Sequence, residues 1–188
     1  MKEQMWKKTI SLLLAALMLL CLMPAGLFAE DEEIADPETA LEETLAYIAE
    51  TVSPVFNPDS FLSNDWEVIA LARAGFEVGE GYYQGYYDSV LDALDEASDT
   101  GAPLDFGTTA KMILALTAIG VDATDFEGYN LLLPLADFGE IAYPFIADIC
   151  YALLALDSKP YTIFNGVVDR TQETRDGLID LIDTTGFC

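Results

Sequence analysis

The sequence predicts an all-α protein built from stacked helical hairpins. Three observations carry this. Apolar residues recur at helical spacing through most of the chain, and no stretch alternates as a strand would; the pair Val167-Val168 is too short to count. The third is a recurring helix end in which small residues and leucine run into a turn: ALARAG at 70–75, ALTAIG at 115–120 and ALLALDS at 152–158. The pairs Ala70-Leu71, Ala115-Leu116 and Ala155-Leu156 lie 45 and 40 residues apart, about one helix pair each. Small residues let neighbouring helices approach, and Gly75, Gly120 and Ser158 are placed to end a helix so that the chain returns.

The elements follow in order. Residues 1–29 read as a signal peptide: Lys2, Lys7 and Lys8 precede an apolar run at 10–23, followed by Pro24, Gly26 and a Leu-Phe-Ala cleavage site before Glu30. Residues 30–188 form the domain, after an acidic lead-in at 30–35. Asp36-Pro37 opens the first helix as cap and first-turn proline, with Leu41, Leu45, Ile48 and Val52 on one face. Pro54 and Pro58 break the chain into a loop at 53–63. A second helix begins at Asn64 or Asp65, with Trp66, Ile69, Ala70 and Ala74 along its apolar side. A third turns Tyr83, Tyr87, Val90, Leu91 and Leu94 inward and Asp88, Asp92, Asp95 and Glu96 outward. A fourth starts at Asp105, carries Met112, Ile113, Leu116 and Ile119, and stops at Gly120. A broken segment at 125–137 contains a helical turn over 129–132, interrupted by Pro134. A nearly uncharged, buried helix runs from Tyr143 or Pro144 to Leu156, and an amphipathic one covers 171–182 with Leu178, Ile179 and Ile182 on one face.

Charge excludes whole classes of partner. The chain has 33 acidic residues, eight basic ones and no histidine, for a net charge of −25. Loss of the leader removes Glu3 and three lysines, leaving 32 acidic and five basic residues and a net charge of −27. No basic patch can be assembled, so nucleic acid and anionic membranes are repelled. Solubility in a salt-containing external medium explains the acidity; cation binding is the sharper alternative. Of the three cysteines only Cys150 and Cys188 lie beyond the leader. Cys150 falls in an apolar helical run and reads as a small core residue; a bridge to Cys188 stays open.

The segments at 65–75, 108–138 and 151–161, with TRDGLIDLI at 174–182, resemble the α/α-toroid repeats of the terpenoid cyclase and protein prenyltransferase superfamily. The likeness is nearest to a secreted surface-protein group of Gram-positive anaerobes, and covers roughly residues 36 to 183. It implies a partial α/α-toroid of about three stacked hairpins, where a closed ring of that superfamily has about six. The chain would then be the N-terminal half of a ring, self-associating through its open end. The enzymes of the superfamily hold zinc with Asp, Cys and His, or protonate an alkene from an Asp-x-Asp-Asp motif. The sequence has no histidine and no such motif, so the resemblance implies a non-catalytic binding or adhesion module at the cell surface, with no cofactor. Its ligand or cell-surface partner is unspecified. The alternatives are an enzyme whose catalytic residues lie beyond Cys188, and a carrier of a corrinoid or other small ligand.

Three local features are candidate sites. Tyr82, Tyr83, Tyr86 and Tyr87 in GYYQGYY can form an aromatic wall for a ligand or simply pack at helix spacing. Asp122, Asp125 and Glu127 are weak calcium candidates; their spacing does not match an EF-hand, and Asp125 reads as a cap. Asp157 sits at the end of the buried helix, where the superfamily's ligands are contacted, or serves the turn with Ser158. No metal site is expected.

Overall fold

The computed structural model describes residues 36–58, 64–137 and 145–184, and these form six α-helices and one short 3-10 helix. The helices are α1 (Pro37–Thr51), α2 (Asp65–Ala74), α3 (Tyr82–Thr100), α4 (Phe106–Ala118), α5 (Ile146–Asp157) and α6 (Thr171–Thr184), with the 3-10 turn Leu133–Ala136 between α4 and α5. No strand occurs among the described residues, only two isolated bridges, Phe126 with Tyr129 and Phe164 with Asp169. The all-α class is therefore correct. No helix among the described residues is long and apolar enough to cross a membrane. The expected leader at 1–29, Cys188 and the expected helix start at Tyr143 or Pro144 lie outside the described residues.

Backbone contacts divide the chain into Met1–Leu41 and Glu42–Cys188. The described part of the first unit is the opening of α1, where the Ala40 N–H donates to the Asp36 carbonyl at 2.9 Å. The second unit carries the core. Its closest backbone packing is that of α4 against both α2 and α5, with α5 also against α6. Small residues make this approach feasible: Gly107, Ala110 and Ala115 of α4 and Ala152 and Ala155 of α5 are all buried. Leu71, Leu116 and Leu156, the leucines of the recurring helix end, are each fully buried.

Hydrogen bonding explains that recurrence. After α2, Gly75 (φ 63°) donates to the Ala72 carbonyl at 3.2 Å and Phe76 to the Leu71 carbonyl at 3.1 Å. After α4, Gly120 (φ 90°) donates to Thr117 at 3.1 Å and Val121 to Leu116 at 2.9 Å. Both are Schellman motifs, in which a left-handed residue reverses the chain and the next amide returns to a carbonyl five residues back. The shared pattern Leu-x-x-x-Gly-apolar is thus a helix stop with its core-facing leucine in a fixed place. The third copy ends differently. Ser158 keeps a right-handed backbone, φ −64°, and its hydroxyl donates to the Ala155 carbonyl at 2.7 Å.

Several faces depart from the sequence reading. On α2 the buried residues are Asp65, Val68 and Leu71, whereas Trp66, Ala70 and Ala74 are exposed. The helix is rotated because Asp65 is drawn inward by the Tyr86 hydroxyl, which donates to its Oδ1 at 2.5 Å. Trp66 instead rests edge-on against Tyr151, 5.3 Å between ring centroids. On α3, Tyr86 and Val90 are the buried pair, and Tyr83, Tyr87, Leu91 and Leu94 are half-buried around it. Cys150 is exposed, not a core residue, because the buried stripe of α5 runs through Ile149, Ala152 and Leu156 and leaves it to one side. The same stripe leaves Leu154 exposed. On α6, Leu178 is buried but Ile179 is exposed. No helical turn spans 129–132, and Pro134 lies inside the 3-10 turn, where a missing N–H is tolerated near the first position.

Candidate functional site

The long helix α3 is amphipathic, with its acids outward, and ends at Gly101 in a left-handed conformation, φ 69°. Its last two turns do not close onto α4. They leave a cleft of about 340 Å³, walled by Leu94, Ala97 and Ser98 of α3, floored by Thr109 and Met112 of α4, and bounded by residues 129–131 and Pro134 opposite. No charged residue lines it. A mostly apolar concavity with a few polar groups is the usual form of a small-molecule site. The polar groups are largely committed: Thr109 donates to the Asp105 carbonyl at 2.9 Å, and Asn130 Oδ1 accepts from the Leu132 N–H at 3.1 Å. That pairing leaves the Asn130 amide nitrogen as a donor at the cleft wall.

The wall opposite α3 starts at Tyr129, the last residue of a tight turn. Phe126 and Tyr129 exchange backbone hydrogen bonds at 2.9 and 2.8 Å around Glu127 (φ 50°) and Gly128 (φ 90°). Two successive residues with positive φ match the hairpin turn that favours glycine at its second centre. Phe126 is buried and meets the Tyr87 ring at 4.7 Å. Two reciprocal bonds tie this turn to α3. The Tyr87 hydroxyl donates to Glu127 Oε1 at 2.5 Å, and the Tyr129 hydroxyl donates to Asp95 Oδ1 at 2.7 Å. The turn is thereby held at a fixed separation from the helix, on either side of the cleft.

The four tyrosines of α3 diverge. Tyr82 donates to the Val52 carbonyl at 3.3 Å and meets Tyr83 edge-on at 5.6 Å. Tyr86 points into the core, edge-on to Phe56 at 6.3 Å, and Tyr87 points to the turn. They tether α3 to three neighbouring segments, and none of them lines the cleft. Asp122 Oδ1 accepts from the Thr124 N–H at 3.0 Å and hydroxyl at 2.7 Å, and Oδ2 pairs with Lys159 at 3.1 Å. The Thr124 hydroxyl and N–H, then Lys159, lower its pKa to about 2. Asp122 is thus a carboxylate that caps this turn through Thr124; Asp125, read as the cap from the sequence, is exposed like it. Among the described residues no three acids or cysteines gather in a metal-holding group. Asp157 accepts a hydrogen bond from Arg175 of α6, whose other donation, at 3.3 Å, is to the Leu156 carbonyl. It joins the ends of two helices.

Burial, with Asp65 alongside, pushes the Tyr86 phenol well above its ordinary range. Tyr82 and Tyr83 are raised first by burial, and Tyr87 and Tyr129 first by their bonds to Glu127 and Asp95. In each case the folded state holds the phenolic proton more tightly than the unfolded chain, where the value is about 10. This contribution is complete below about pH 10 and is lost as pH rises through the folded values. Urea midpoints should therefore hold from pH 7 to pH 9 and fall above about pH 10. Tyr86→Phe should flatten that fall and remove about 1–3 kcal/mol at neutral pH, because Asp65 loses a buried donor. An unchanged alkaline slope in Tyr86→Phe would show that Tyr86 does not carry it.

The cleft itself escaped sequence reasoning. Its residues are an ordinary helix face, 94, 97, 98 and 101, and a segment read as broken helix; only the tertiary gap between them makes a site. No family model, curated protein or solved structure matches the chain.

Proposed function

We propose that the chain is a secreted or cell-surface, non-catalytic binding module, part of an α/α-toroid, whose ligand occupies the cleft between α3, α4 and the 126–129 turn. The observation that supports this is an uncharged apolar cleft of about 340 Å³ in a chain of net charge −25. Elsewhere the acids keep the surface wet. Here desolvation has no charge to oppose it, so an apolar group gains the ordinary transfer free energy of about 25 cal/mol per Å². The leader-like N-terminus supports export, and the recurring helix ends support the stacked-repeat architecture.

The test uses the neutral fluorophore N-phenyl-1-naphthylamine with the full chain. Fluorescence should rise on binding and saturate, and the saturable part should disappear in Ala97→Trp and in Ser98→Trp. Ser98 is exposed, so its variant guards against a folding failure in the first. Equal saturable binding in wild type and both folded variants would rule the cleft out.

A further inference from the structure

The loop between α5 and α6 is pinned at its base. The Arg170 N–H donates to the Ile163 carbonyl at 2.8 Å, and the Ile163 N–H donates to the Thr171 hydroxyl at 2.8 Å, with the Ile163 side chain fully buried. At its tip stands Asn165-Gly166, the one Asn-Gly pair in the sequence, and both residues are exposed. The side-chain oxygen of Asn165 accepts two backbone amides, from Val167 at 3.0 Å and from Val168 at 2.9 Å. Two donors converging on one atom identify it as the oxygen, since the carboxamide nitrogen only donates. Gly166 has φ 90°, and its N–H has no acceptor among the described residues. It also carries no side chain to shield that nitrogen from the neighbouring carboxamide. A free amide nitrogen one residue after an asparagine is placed to close a five-membered ring onto Cγ.

We propose that Asn165 is a site of self-modification by deamidation, in which the Val167 and Val168 amides act as an oxyanion hole. The Gly166 nitrogen gives its proton to water and forms a bond to Asn165 Cγ. Negative charge develops on Oδ1, where both donors already stand within the range of about 2.7–3.1 Å that such a hole requires. The Cγ–Nδ2 bond then breaks, the nitrogen takes a proton from water, and ammonia leaves behind a cyclic imide. Water opens the ring at Cγ to give aspartate, or at the main-chain carbonyl carbon to give isoaspartate. The net change consumes water and the carboxamide and yields a carboxylic acid and ammonia, with nothing oxidised or reduced. The product places a negative charge in a tip whose neighbours Phe164, Val167 and Val168 are apolar and exposed. The site lies outside the cleft and does not depend on the binding-module reading.

The experiment follows Asn165 in the full chain at mildly alkaline pH. Peptide mass spectrometry reads the exchange of NH2 for OH, and labelling by an isoaspartyl methyltransferase reads the iso product. Deamidation at Asn165 should run at least about tenfold faster in the folded chain than in the same chain unfolded in guanidinium chloride, a small part of what one oxyanion donor contributes in an enzyme. Val168→Pro removes one donor at an exposed position and keeps the Asn-Gly pair. Its folded rate should fall at least about threefold below wild type, while its unfolded rate stays the same. A folded wild-type rate equal to or below the unfolded one overturns the proposal, because the tip would then only shield an ordinary Asn-Gly pair. A folded Val168→Pro chain that keeps the full wild-type rate overturns it as well. Should Val168→Pro not fold, the comparison of folded with unfolded wild type decides by itself.

Discussion

Leu116→Ala should destabilise the protein by about 2–5 kcal/mol, measured as a loss of unfolding free energy in urea. Three facts set that size. The side chain is fully buried, so truncation removes transfer energy and leaves a cavity. It stands on α4, the helix packed against both α2 and α5, so neither neighbour can collapse inward without disturbing the other. Its carbonyl also accepts the Val121 amide that reverses the chain after the helix. Leu154→Ala is the control: it removes the same atoms from an exposed position on α5 and should fall within about 0.5 kcal/mol of wild type. A Leu116→Ala loss below about 1 kcal/mol would mean that α4 is not the centre of the core.

Gly107→Ala should also destabilise, against the direction that helix propensity predicts. Alanine is favoured over glycine by about 1 kcal/mol inside a helix. At Gly107, however, a Cβ would stand 2.2 Å from Asp148 Oδ1, 2.5 Å from its Cγ and 3.1 Å from its Cβ. The carboxylate can rotate, but the Asp148 Cβ belongs to α5 and moves only with that helix. Forcing the two apart should remove about 1–3 kcal/mol net. Asp148 is already in a difficult place: burial, then the nearby Asp105, raise its pKa, with Lys111 opposing. The decisive comparison is made in an Asp148→Ala background, which removes Oδ1 and Cγ and keeps only the 3.1 Å contact with Cβ: there the loss from Gly107→Ala should shrink, a coupling that a double-mutant cycle measures. An equal loss in both backgrounds would place the strain elsewhere.

Legibility of the fold varied with the kind of information each element needs. Helix stops were readable because Gly75 and Gly120 each perform a local task that few other residues perform. The helix start at Asp105 was readable too, though its role as the cap, accepting the Thr108 N–H, comes from the structure. Helix faces were harder. Trp66 and Ala70 have the apolarity of a core face, yet one buried hydrogen bond between Asp65 and Tyr86 turns that face outward. The bond joins residues 21 apart, and no local pattern announces it. Cys150 was misplaced because a helix apolar all round carries no signal of which side is covered. The tyrosine cluster and the acidic loop were both visible as candidates, but not that Tyr87 and Glu127 bond to each other. The cleft was invisible, since it is the space that α3 fails to fill.

The packing of α4 against α2 also has a kinetic meaning. The two helices are separated in the chain by all of α3 and its flanking loops, so their contact is non-local. Closing so long a segment is entropically unfavourable before any burial rewards it. An all-helical chain ordinarily folds fast because its contacts are between sequence neighbours. Here the skipped helix raises the contact order, and the rate should sit nearer that of mixed α/β domains than of simple helical bundles. A sequence that looks locally simple thus carries its folding delay in the order in which its helices are stacked.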